Sequence, residues 1–161
     1  MSRLDAMIRR LKAQRDILNH LASEGLLPEG GAILEVGLGN GRTYSHLREV
    51  FPDRRIIAFD RAIGAHASSI PAPENMILGE IKDVAVAFAG QNAALVHADI
   101  GTGYDDKDAV TLTWIPGLVV SLLAPGGIAV SGLPLDHAGL VPLDLPQDMT
   151  RGRYHAYRKA P

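Results

Sequence analysis

Three glycines at alternate positions, Gly37, Gly39 and Gly41 in "ILEVGLGNGR", follow directly on an apolar run that carries the acid Glu35. A strand that ends in such a turn and runs into a helix is expected to expose backbone N–H groups and to let a ligand approach without Cβ atoms in its way. Carboxylates recur at the ends of later apolar runs: Asp60 closes "RIIAFD", nineteen residues beyond Gly41, and Asp99 closes "AALVHAD". At the carboxyl edge of a parallel sheet such groups face the ligand crevice, where an ionised carboxylate accepts hydrogen bonds from hydroxyls.

The glycine spacing matches neither of two familiar fingerprints. A dinucleotide fingerprint of the G-x-G-x-x-G type needs glycine at position 42 or 44, where this chain has Arg42 and Tyr44, and no Gly-Lys-Ser/Thr follows to complete a phosphate-binding loop. What remains, an acid followed by three alternating glycines, resembles the class I S-adenosylmethionine-dependent methyltransferases, and the resemblance runs from Ile33 to the C-terminus. It implies S-adenosylmethionine as cofactor, a glycine turn of Gly37, Gly39 and Gly41 beneath its methionine part, and Glu35 helping to hold the amino-acid end. Asp60 then meets the ribose. In "NMILGEIKD", Glu80 accepts from the exocyclic amine of the adenine and Ile81 covers the ring face, although Gly-Glu stands where the family more often has Gly-Asp. Asp99 belongs to the same edge, and "LLAPGGIAVSG" resembles the family's structural turn into the fifth strand.

A methyl sulfonium is already activated, so transfer needs in-line placement of the acceptor and exclusion of water more than a strong acid or base. A hydroxyl acceptor must still lose its proton. Residues in reach after the fourth strand are Asp99, Tyr104, Asp105 and Asp106, with His97 two residues before Asp99 and His137 beyond the fifth strand. Asp99 is the expected catalytic residue. "HADIGTGYDD" loosely resembles the corresponding segment of metal-dependent O-methyltransferases, but Ser131 and Gly132 stand where those enzymes have a second carboxylate-amide pair, so no metal is expected. No Asn-Pro-Pro-Tyr-like motif occurs, and base-directed DNA methylation is not expected. The reading is methyl transfer to a small molecule, O-methylation preferred over N-methylation. Two alternatives share the sheet type: a nicotinamide-dependent oxidoreductase, disfavoured by Arg42 and the lack of a Tyr-x-x-x-Lys signature, and a cofactor-binding module without transferase activity.

The elements that position these residues follow from hydrophobic periodicity. Leu4, Met7, Ile8, Leu11, Leu18 and Leu21 recur at helical steps and predict an amphipathic helix over residues 1–25, with Arg3, Arg9, Arg10, Lys12 and Arg15 on a solvated face. Short apolar runs then alternate with helical patterns, including one long helix over "DAVTLTWIPGLVVSLLA". This predicts an α/β, doubly wound, mostly parallel sheet over residues 32–161, with "LVPLDL" and "RYHAYRK" as an antiparallel C-terminal hairpin. The 161 residues, 47% hydrophobic and 21% charged, suit one domain, 1–161. The net charge of −2 gives no pull toward nucleic acid or an anionic membrane, and there is no cysteine for a thiolate site or disulfide. With a polar N-terminus and no spanning apolar run, the expected location is the cytoplasm. The small domain lacks a cap, so the N-terminal helix, the segment after Asp60 or a second subunit of a homo-oligomer is expected to supply the lid.

Overall fold

In a computed structural model describing residues 1–161, all strands join one seven-stranded sheet. Helix α1 (Arg3–Ser23) comes first. It is followed by β1 (Ile33–Val36), α2 (Arg42–Val50), β2 (Ile56–Asp60), β3 (Met76–Leu78), α3 (Ile81–Val84) and β4 (Ala93–Ala98). Then come α4 (Asp105–Leu112), α5 (Ile115–Leu122), β5 (Leu123–Ser131), β6 (Leu140–Pro142) and β7 (His155–Lys159). The order β3-β2-β1-β4-β5-β7-β6 is parallel through β5, while β7 runs antiparallel to both its neighbours. The reversal of strand order between β1 and β4 opens the crevice in which ligands of such sheets bind. No helix is long and apolar enough to cross a membrane.

Strands buried on both faces read as continuous apolar runs, and alternate residues divide them between two cores. Ile33, Ala58, Leu95, Ile128 and Val130 meet α1 and α2; Leu34, Val36, Phe59, Val96 and Ala129 meet α5 and the short helices after β3. The C-terminal hairpin forms because the link from β5 to β6 is too short for a crossover helix, and β7 inserts between β5 and the edge strand β6.

Three local expectations are corrected. The helix expected over "DAVTLTWIPGLVVSLLA" is two helices, α4 and α5, parted at Thr113 and Trp114. Pro116 has no N–H to donate and its ring collides with the carbonyl four residues back, so α5 starts afresh with Pro116 in its first turn. Over "EIKDVAVAFAG", whose apolar pattern predicts a helix throughout, there is one turn of α-helix and then a 3-10 turn, Ala85–Phe88. In α1 the apolar stripe is buried only from Ala13 onward: Ala13, Ile17, Leu18 and Leu21 are at most 1% exposed, whereas Leu4, Met7 and Ile8 lie in the open on turns that nothing covers. Ser2 and Asp5 close a capping box at the start of this helix, which holds the exposed turns helical without packing.

Candidate functional site

The three glycines of the turn after β1 depart from the expectation of free backbone donors. Gly37 N–H donates to the Phe59 carbonyl (2.9 Å), Gly41 N–H to the Leu38 carbonyl (3.0 Å), and Gly39 N–H to Asp60 Oδ2 (2.9 Å). All three have positive φ, and the reasons for glycine differ. A Cβ at Gly37 would stand 2.7 Å from Ile100 Cγ2, and one at Gly41 2.6 Å from Ser69 Cβ, so both glycines let neighbouring chain pack tightly. Gly39 alone has nothing within 4 Å of its missing Cβ, and its bare face opens to space.

That space is a cavity of about 760 Å³ over the carboxyl edge of the sheet, walled by Gly37, Gly39, Asp60, Glu80, Ile81 and Asp99. Thr102, Lys107 and Trp114 close its far side. Asp60 ties the turn together, accepting from Gly39 N–H and, through Oδ1, from Arg61 N–H (2.7 Å). Glu80 precedes α3 without capping it and pairs instead with Arg61 Nε at 3.1 Å. A second, smaller cavity of about 130 Å³ lies between α1 and the turn, bounded by Arg10, Gln14, Glu35, Asn40, Arg42 and Asp99. Asp99 stands between the two. Gly41 lines neither, supporting the turn from behind.

Asp99 is not a free carboxylate. Arg10 donates to its Oδ1, and Gln14 Nε2 donates to its Oδ2 at 3.3 Å. Arg10 therefore leaves the solvated face assigned to it and enters the site, one helical turn before Gln14. The other candidate bases lie apart. Tyr104, Asp105 and Asp106 are exposed at the start of α4. His137 is an exposed loop residue whose Nδ1 accepts from Gly139 N–H (2.9 Å).

His97 is 0% exposed and sits beside Glu35 in the β1–β4 register, its Nδ1 bonded to Glu35 Oε1 at 2.7 Å. Its Nε2 meets the Tyr154 hydroxyl at 2.6 Å, and Gln14 Nε2 donates to that hydroxyl at 2.7 Å. A buried polar chain thus runs from Glu35 through His97 and Tyr154 to Gln14 and Asp99. The other carboxylate oxygen of Glu35, Oε2, is buried with no partner. Tyr154 carried no sequence signal. Arg10 and Gln14 did, because positions 10, 14, 17, 18 and 21 form one stripe, and polar residues that continue a buried stripe point toward buried partners.

Burial drives both members of the pair. Loss of solvation raises the Glu35 carboxyl above its usual range against the pull of His97. Burial alone would lower His97, but the adjacent Glu35 carboxylate outweighs it and the imidazole is raised above 6.5. A group that holds its proton more tightly when folded contributes stability below its unfolded pKa and loses it as pH rises through the folded value. Above pH 6.5 the lowered carboxyls of Asp5, Asp16 and Asp108 are already ionised, and His155, lowered by burial, is already neutral. Melting temperature is therefore expected to fall as pH rises from 6.5, below the range in which the buried Tyr154 hydroxyl, raised well above 10.0, adds a loss of the same sign, and Glu35→Gln to flatten that slope; an unchanged slope in the variant would remove the pair as its source.

The family model described as S-adenosyl-L-methionine methyltransferase matches residues 1–159. The crystal structure of an S-adenosyl-L-methionine methyl transferase from Silicibacter pomeroyi DSS-3 is 39% identical, covers 99% of each chain and superposes with a TM-score of 0.86. A probable spermidine synthase from Corynebacterium glutamicum ATCC 13032 is 16% identical, with a TM-score of 0.60 over 92% of this chain and 63% of that one. MycE methyltransferase from the mycinamycin biosynthetic pathway, in complex with Mg and SAH, is 14% identical, with a TM-score of 0.57 over 93% and 48%. These last two share the fold. A search of curated proteins finds no significant match.

Fold and site thus define a class I transferase with its crevice at the β1–β4 switch point. The chain belongs to the S-adenosyl-L-methionine methyltransferase family and uses S-adenosylmethionine as its methyl donor.

Proposed function

We propose that the chain transfers the methyl group to the oxygen of a small-molecule acceptor, with the cofactor laid across the two cavities that meet at Asp99. The observation that carries this is the open face of Gly39 between them: the backbone there is bare, its N–H is already bonded to Asp60, and no side chain occupies the cavity beside it. The residues fit the cofactor. In the larger cavity Asp60 takes the ribose hydroxyls, its oxygens keeping a lone pair each beyond their present bonds, while Glu80 and Ile81 take the adenine. In the smaller one, the partnerless Oε2 of Glu35 suits the ammonium of the amino-acid end, below the turn of Gly37, Gly39 and Gly41.

When bound, S-adenosylmethionine supplies a methyl group on a sulfonium, which needs no nucleophilic side chain. The chain's part is to orient the acceptor, keep water out and receive a proton. Asp99 is the assigned base: Arg10 and Gln14 hold it in place, and its second lone pairs can accept from an acceptor hydroxyl. No group of three or more His, Cys, Asp or Glu side chains lies placed to hold a metal ion.

Asp60→Ala is expected to weaken S-adenosylhomocysteine binding by about 1.5–3 kcal/mol, the scale of lost hydrogen bonds to a charged group. Calorimetry checks this, and unchanged affinity would place the ribose elsewhere. Asp99→Asn keeps the shape but not the charge, so kcat with a hydroxyl acceptor is expected to drop by about 10²-fold or more, the range for a lost general base. Turnover preserved in that variant, or transfer to amines in preference to hydroxyls, would reject the O-methylation reading.

A further inference from the structure

Beyond the cofactor cavities, a groove of about 550 Å³ runs between the uncovered first turns of α1 and the loop before β7. Four arginines line it, Arg3, Arg9, Arg10 and Arg153, together with Met7 and Ala6, and no acidic residue does. Most arginines elsewhere are bonded: Arg15 to Asp16, Arg61 to Glu80, and Arg54 and Arg158 to backbone carbonyls. Arg3, Arg9 and Arg153 bond nothing. The nearest acid on the helix, Asp5, is committed to the cap with Ser2. Three unpaired guanidiniums therefore face one groove in a chain whose net charge is −2.

The groove is built rather than left over. Gly152, at φ +53, brings the loop against α1 so closely that a Cβ there would stand 3.3 Å from the Arg9 carbonyl and 3.4 Å from Ala13 Cβ. That approach sets Arg153 opposite Arg9. The groove is also joined to the site, because Arg10 lines it, lines the smaller cofactor cavity and pairs with Asp99. Gly132, at the end of β5, leaves this junction open: a Cβ there would stand 3.2 Å from Asp99 Oδ1 and 3.8 Å from Arg10 Nη2.

We infer that the groove holds the anionic end of the methyl acceptor, which is an elongated small molecule with a carboxylate, phosphate or sulfate group on an apolar body. This rests on the methyl-transfer reading of the adjoining site. Arg3 lies seven residues from Arg10, about 10 Å along the helix, so the acceptor's nucleophile and its anionic group stand roughly that far apart. A guanidinium pairs with two oxygens of a carboxylate, phosphate or sulfate in bidentate fashion, and Met7 supplies a polarisable apolar wall. The volume lies in the range of small-molecule pockets, about 300–1,000 Å³, which favours a small anion over a nucleic acid backbone.

The test uses the intact chain and 8-anilinonaphthalene-1-sulfonate, a fluorescent sulfonate on an apolar ring system. The expected result is probe binding that decanoate reverses and decyltrimethylammonium does not. Arg9→Glu/Arg153→Glu is expected to weaken the probe about tenfold or more, a loss near 1.4 kcal/mol. S-adenosylhomocysteine affinity, read in the same samples, stays within about twofold, so failure of the groove and failure of the cofactor site are seen separately. Unchanged probe affinity in the folded variant, or equal displacement by both amphiphiles, overturns the proposal. So does a short single-stranded RNA that competes better than decanoate, and so does a self-association, seen by sedimentation, that occludes the probe and is abolished by the variant.

Discussion

His97→Leu is expected to destabilise the protein by about 3–5 kcal/mol, the scale for leaving one member of a buried ion pair alone. The imidazole is the only partner of Glu35, whose second oxygen already has none, so its removal strands a carboxyl that is 1% exposed. Tyr154 and Gln14 keep their mutual bond and lose less. Glu35→Leu/His97→Leu, in which both polar groups go together, is expected to be more stable than the sum of the two single losses predicts, because no unpaired group remains. Urea unfolding of the four proteins closes the cycle. Strict additivity would show that the pair acts through shape alone.

Removing residues 1–20 is expected to unfold the chain. The N-terminal helix, one of three segments expected to supply a lid, is part of the main core: Ala13, Ile17 and Leu18 pack with Leu21 on Ile33, Leu95, Ile128 and Val130. Burying an Ile or Leu side chain contributes about 1.5–3 kcal/mol, and the truncation also bares the sheet face beneath. Together these losses approach the total stability of a domain of this size, about 5–15 kcal/mol. It also takes away Gln14, the donor that joins Tyr154 to Asp99. Near-UV circular dichroism and a cooperative denaturant transition are the readouts. A truncated chain that retains both and binds S-adenosylhomocysteine would return the helix to the role of a lid.

Both expectations rest on contacts between distant parts of the chain, whereas the elements themselves follow from local pattern. The alternation of apolar runs and helical patterns specified the parallel sheet and its antiparallel tail, since each strand's two-sided burial and each crossover's length are local properties of the chain. The glycine spacing and the acids Asp60, Glu80 and Asp99 were likewise legible, because strand ends place them at one edge whatever else packs there, and the fold brings these acids with Gly37 and Gly39, though not Gly41, to one cavity. The direction of the glycine N–H groups was not, for these depend on which carbonyl or carboxylate lies opposite, and here Phe59, Leu38 and Asp60 take them.

Contacts between residues far apart in the chain escaped the pattern altogether. Arg10 and Asp99 are 89 residues apart, Gln14 and Tyr154 are 140, and only the packing of α1 across the sheet and the close approach of Gly152 brings them together. Periodicity marks which face of a helix is apolar, but how far along its length the face is covered depends on what lies above it. Hence Leu4, Met7 and Ile8 read as core and stand exposed, while Arg10 and His97, read as solvent-facing and site-facing, are drawn into pairing because a charge near or inside a core must find its opposite.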